Sequence, residues 1–179
     1  MPTQPNHENE PLQPDDPAVA PCAGRTCFLQ GRWPLLLGVL IVGVLLYLQW
    51  PMLKGMYYKT SGTEAPASAI AWRENFQPAL DEAARTGKPV LIDFTASWCP
   101  PCKVMKHEVW PDDRVADAIN GAYIPLLMDV DVPQNGPIAQ RYGIRTIPTI
   151  LVVDADGRVL RQGAFMSSAE MLAFLKPGA

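Results

Sequence analysis

The segment Trp98-Cys99-Pro100-Pro101-Cys102-Lys103 constrains this chain more than any other feature. An apolar, strand-like run, Val90-Leu91-Ile92-Asp93-Phe94, leads into it, and a helix-like run, Val104-Met105-Lys106-His107-Glu108-Val109, follows. A Cys-x-x-Cys pair set between a strand and the start of a helix reads as a redox pair. The first cysteine then sits where unpaired backbone N–H groups and the helix dipole favour negative charge. That placement raises the thiolate fraction, and the thiolate is the form that attacks disulfides.

The 179 residues do not all belong to one core. Residues 1–32 carry Pro2, Pro5, Pro11, Pro14, Pro17 and Pro21 among polar residues, a composition that predicts a disordered tail. From Trp33 to Leu53 there is no charge, and these 21 residues predict a single transmembrane helix over 33–53. Trp33, Tyr47, Trp50, Tyr57 and Tyr58 lie near its ends, as interfacial aromatics do. A buried core helix is rarely this long without a charge. A cleaved signal peptide is disfavoured by the long leader ahead of the apolar run. Arg25 and Arg32 on one side against Lys54 and Lys59 on the other leave the orientation open by charge alone.

Residues 54–70 read as a linker, and 71–179 as one compact domain. That domain holds 11 basic and 13 acidic residues, so nothing in its charge argues for nucleic acid as a partner. Its pattern predicts a helix from about Arg73 to Arg85, stopped by Gly87, and a strand over Val90–Thr95. A helix follows over Cys99–Val109, with Pro100 and Pro101 in the first turn, where a missing N–H costs little. Asp112 or Asp113 caps a short helix through Ile119; then come a strand over Tyr123–Val130 and a helix over Gly136–Tyr142. A strand over Thr149–Val153, a hairpin turn at Asp154-Ala155-Asp156-Gly157, a strand over Arg158–Gln162 and a helix with a Ser167/Glu170 capping box complete it. Helices and strands alternating in this way predict an α/β fold: a central mixed β-sheet flanked by helices.

Phe94-Thr95-Ala96-Ser97-Trp98-Cys99-x-x-Cys102-Lys103 together with Gly143-Ile144-Arg145-Thr146-Ile147-Pro148-Thr149 resembles the thioredoxin family over about residues 70–177. The stretch Val109-Trp110-Pro111-Asp112-Asp113-Arg114-Val115 narrows the resemblance to the C-terminal thioredoxin-like domain of the bacterial transmembrane thiol:disulfide interchange reductases. Membrane-tethered thioredoxins of cytochrome c maturation are the second likeness.

The resemblance implies a thioredoxin-like fold and a set of roles. Cys99 matches the nucleophile, Cys102 the more sheltered resolving cysteine, and the two form the redox-active disulfide. Asp93 matches the buried acid beneath the pair, and Trp98 the tryptophan that shields it. Pro148 matches the cis-proline facing the disulfide; Ile147 and Thr146 form with it the substrate-binding edge. Gly163 falls near the glycine beside the substrate groove. One departure stands out. Where the family has a lysine near the buried acid, this chain has about Leu127. Without that cation, burial raises the pKa of Asp93.

Two other uses of the cysteine pair compete. Half of a zinc site would need two further ligands from His7, Cys22, Cys27 and His107. The first three lie across the apolar stretch, and His107 is expected on a solvated helix face. A copper-handling dithiol would recruit added Met or His, and Met105 at helical spacing reads as packing. No metal and no cofactor is expected, since no nicotinamide or flavin fingerprint is present. Cys22 and Cys27 are open to several readings: free thiols, a small-loop disulfide, or acylation sites.

By resemblance, Pro100-Pro101 between the cysteines points to a tethered reducing thioredoxin, and the dipeptide lacks the histidine of strong oxidases. The expectation is a protein-disulfide reductase anchored in the inner (cytoplasmic) membrane through 33–53 as a single-pass protein. Its domain would face the periplasm or cell exterior, where disulfides form. Its partners would be protein disulfides and a membrane or soluble dithiol donor. Oxidase or isomerase activity, or a metal-delivery or binding module, is the alternative.

Overall fold

The computed structural model describes residues 33–176. The proline-rich stretch 1–32, with Cys22 and Cys27, lies outside the described residues. The chain divides into a unit ending at Leu45 and a unit from Leu46 onward.

Where the sequence predicts one helix over 33–53, two are present: α1 at Trp33–Leu48 and α2 at Trp50–Thr60. Pro51 sits in the first turn of α2 and explains the break. A proline there has no N–H for the helix ladder, and its ring would collide with the Tyr47 carbonyl of a continuous helix. The apolar helix α1 has no buried residue. Its 16 residues reach about 24 Å, short of a bilayer core of about 30 Å. Among the described residues no single helix is long and apolar enough to cross a membrane. The linker expected over 54–70 is helical as far as Thr60.

The second unit holds α3 (Phe76–Thr86), β1 (Val90–Thr95), α4 (Pro100–Glu108), α5 (Asp113–Ala122) and β2 (Ile124–Asp129). A 3-10 turn at Pro133–Asn135 leads into α6 (Gly136–Arg141); β3 (Thr149–Val153), β4 (Val159–Gly163) and α7 (Ser168–Phe174) follow. The strands form one mixed sheet in the order β2-β1-β3-β4. β1 runs parallel to β2 and antiparallel to β3, and β3 is antiparallel to β4.

Arg73, expected to begin the first helix, instead bridges to Leu126 at the β2 edge. Its N–H donates to the Pro125 carbonyl at 2.9 Å and its carbonyl accepts from Leu127 N–H at 2.8 Å. Those bonds hold the backbone extended, so the helix starts three residues later. The predicted stops are in place: Gly87 closes α3 at φ +71° and Gly143 follows α6 at φ +63°. Asp112 caps α5 by accepting from Arg114 N–H, and the Ser167/Glu170 capping box is formed at α7.

Alternation along the strands divides the core in two. Val90, Ile92 and Phe94 of β1, with Leu151 and Val153 of β3, pack against Ala79, Leu80 and Ala83 of α3. Leu91, Ile150 and Val152 face the other way, against Met105, Val115, Ile119 and Met171 of the helices there. Asp93 shares the parity of Leu91 and so falls on the α4 side, a carboxyl among apolar neighbours.

Candidate active site

The end of β1, the start of α4 and the loop before β3 build the site. Cys99 is the N-cap of α4 and its Sγ accepts the Cys102 N–H at 3.2 Å. Prolines fill the first two positions of α4, so two of the donors a helix start leaves unpaired are absent and another is turned on the sulfur. Cys99 and Cys102 are joined by a disulfide. The sequence reading expects Cys102 to be the sheltered member. Both are buried, at 2% exposure for Cys99 and 5% for Cys102, within a cluster with Ala96 that Val130 and Ile147 flank.

The Ile147–Pro148 peptide bond is cis. Pro148 is buried, Ile147 is half-buried against the cysteine cluster, and Thr146 is exposed. The Thr146 carbonyl accepts the Thr149 hydroxyl at 2.7 Å, which pins the loop where it enters β3. Gly163 ends β4 opposite Ile150, and a Cβ there would meet Met166 Cε at 2.5 Å. Trp98 is exposed, at 55%. Its indole N–H donates to Asp131 Oδ1 at 3.0 Å. Asp131 is itself held by an Asx turn, its N–H donating to Asp129 Oδ1.

Asp93 is 3% exposed. Its ladder partners are Leu127 on β2 and Ile150 on β3, so no cation faces it across the sheet. Burial pushes its carboxyl up to about 7, and the Trp110 side chain in the same cavity wall offsets part of that. A cavity of about 480 Å³ has Asp93, Cys102, Leu127 and Trp110 in its wall, with Lys103 and Lys106 from α4. The acid and the second cysteine thus open onto the same space, which has room for several waters.

His107, expected on a solvated face, is half-buried and stacks on Tyr58 at 4.1 Å. Among the described residues no group of three or more His, Cys, Asp or Glu side chains is placed to hold a metal ion. Trp110 and Asp131 are site residues to which the sequence assigns no role. A tryptophan in the Val109–Val115 stretch was its signal, whereas an aspartate 33 positions from Trp98 has none.

The family model described as "Thioredoxin-like domain" matches residues 76–179. A thioredoxin of Chlorobaculum thiosulfatiphilum is 39% identical over 89 residues, 50% of this chain and 74% of that protein. The thiol:disulfide interchange protein DsbD of a Pseudomonas strain is 30% identical over 165 residues, 88% of this chain but only 28% of that protein. In solved structures, a thioredoxin from Thermus thermophilus superposes with a TM-score of 0.54 at 25% identity, over 60% of this chain and 85% of that one.

Proposed function

The chain belongs to the thioredoxin-like domain family, and on that premise we propose that it is a membrane-tethered protein-disulfide reductase working through Cys99 and Cys102. Thiol-disulfide oxidoreduction is the activity of the family, and the domain resembles that of DsbD. The observation that carries the reading is the alignment of three parts: a disulfide at the start of α4, a cis-proline loop packed on it through Ile147, and a buried acid behind it.

In the reduced enzyme, the Cys99 thiolate attacks one sulfur of a substrate disulfide. A mixed disulfide forms and the other substrate sulfur leaves as a thiolate that takes up a proton. Cys102 passes its proton to Asp93 through the cavity they share. An acceptor titrating near 7 is matched to neutral pH, close enough to an ordinary thiol near 8.5 to exchange a proton with it. The Cys102 thiolate then attacks Cys99 Sγ, closes the disulfide and releases the second substrate thiolate. The substrate gains two electrons, and a separate dithiol must return them to the pair.

Thr146, Ile147 and Pro148 form the edge on which substrate backbone would lie, and Trp98 its neighbouring wall. Pro148 offers no N–H there, which leaves that edge shaped by its neighbours. Residues 33–53 serve as the tether. An apolar helix with every side chain exposed needs an apolar surround, and α1 fits that description. The domain then faces the periplasm or cell exterior, where disulfides are substrates.

The reduction potential of the Cys99–Cys102 pair tests this, in the full chain with Cys22 and Cys27 replaced by serine and equilibrated against glutathione or dithiothreitol. A value near about −270 mV supports a reductase. A value near about −120 to −180 mV makes the protein an oxidase or isomerase.

A further inference from the structure

Helix α2 lies on the active-site helix α4. Its inward face is Pro51, Lys54, Gly55 and Tyr58, at the spacing of one helical stripe; Gly55 is buried and the other three are half-buried. Lys54 Nζ reaches both carboxylate oxygens of Glu108, at 2.9 and 3.0 Å. The Tyr58 hydroxyl donates to Glu108 Oε1 at 2.7 Å, and its ring stacks on His107 with 3° between the planes. At the other end of α4, Gly55 is against the Pro100 backbone. A Cβ on Gly55 would run into the Pro100 carbonyl and stand 2.6 Å from its Cα.

Glycine in a helix interior is worse than alanine, so its presence calls for a reason. Gly55 has an ordinary helical conformation, and the reason is space: only glycine lets α2 come this close. Pro100 directly follows Cys99, which is 2% exposed although it is the sulfur that must meet a protein disulfide. We propose that α2 is a removable cap on the active site. Seated, it keeps Cys99 from thiol reagents and disulfide substrates alike; lifted, it frees the sulfur and uncovers Pro100, His107 and Glu108 as part of the surface an incoming protein touches. A partly exposed ion pair, one exposed hydrogen bond and one ring stack are weak holds, so a docking partner can displace α2.

The inference rests on Cys99 being the attacking thiol. Its test is the alkylation rate of Cys99 by iodoacetamide at pH 7 in the reduced full chain, followed on the Cys99 peptide by mass spectrometry. Gly55→Ala improves helix propensity but cannot seat. Reactivity scales with the open fraction, so a cap closed nine-tenths of the time gives a rise of about tenfold. Tyr58→Ala, which removes the stack without crowding Pro100, gives a smaller rise in the same rate. Rates equal to the parent in both variants overturn the cap. The glutathione equilibrium of the pair judges the redox reading separately, because it depends on sulfur chemistry and not on access.

Discussion

Asp93 stands directly opposite Leu127 in the parallel β1–β2 ladder, and both side chains open into the cavity that Cys102 also lines. Paired residues of neighbouring strands point to the same face, so whatever stands at 127 is the nearest lever on the acid. An aliphatic side chain there leaves the carboxyl to pay for its burial with no ion to offset it.

Leu127→Lys supplies the missing charge. An ammonium within about 4–6 Å of a carboxylate lowers its pKa by about 1–3 units. Asp93 is now held near 7 by burial, so the inflection it gives to the pH dependence of disulfide turnover moves toward acid in the variant. Carboxyl-carbon NMR of Asp93 across pH 4–9 checks the same shift directly. An inflection that stays near 7 would remove Asp93 from the role of proton acceptor.

The raised carboxyl also makes folding depend on pH, with a definite sign. Between about pH 4 and pH 7 the folded protein keeps a proton on Asp93 that the unfolded chain has released. Stability therefore falls as pH rises through that window, by at most about 1.4 kcal/mol per pH unit, and levels off above it. Asp93→Asn cannot ionise and escapes the loss. Its stability relative to the parent should be near zero at pH 4 and grow to a few kcal/mol, at most about 4, at pH 8. Denaturant melts of the oxidised proteins at three pH values decide it, and a difference independent of pH would contradict the assignment.

Much of this site was legible from the chain. The strand β1 and the capped start of α4 follow from an apolar run meeting Cys-x-x-Cys, and the cis bond at Pro148 from the motif around it. The absence of a cation at about 127 follows from the family resemblance. What was missed has a physical reason in each case. The break at Gln49 has its sequence signal in Pro51, a single residue within a long apolar run. Arg73 pairs as one residue on a sheet edge, and one residue has no period. The bond from Trp98 to Asp131 and the approach of α2 to Pro100 depend on contacts between distant parts of the chain.

The two cysteines have separable tasks, and Cys102→Ala separates them. Cys99 in that variant still attacks, but nothing resolves the product, so substrate proteins accumulate as disulfide-linked complexes on non-reducing gels. Catalytic turnover falls to background, and added dithiothreitol dissolves the complexes. Cys99→Ala forms none. Complexes appearing with Cys99→Ala instead would reverse the roles.

Trp110 acts on Asp93 from the opposite direction to a lysine at 127. Its side chain lies in the same cavity wall and favours the charged form of the carboxyl, while its ring meets Trp72 edge-on at 5.4 Å and keeps that wall in place. Trp110→Phe retains an aromatic ring for Trp72 and removes the N–H. With one fewer donor, the Asp93 anion loses stabilisation and its titration climbs above 7, whereas Leu127→Lys sends it down. Activity at pH 7 then falls in Trp110→Phe and recovers toward pH 8–9. If both variants moved the inflection the same way, a group other than Asp93 would be the one titrating.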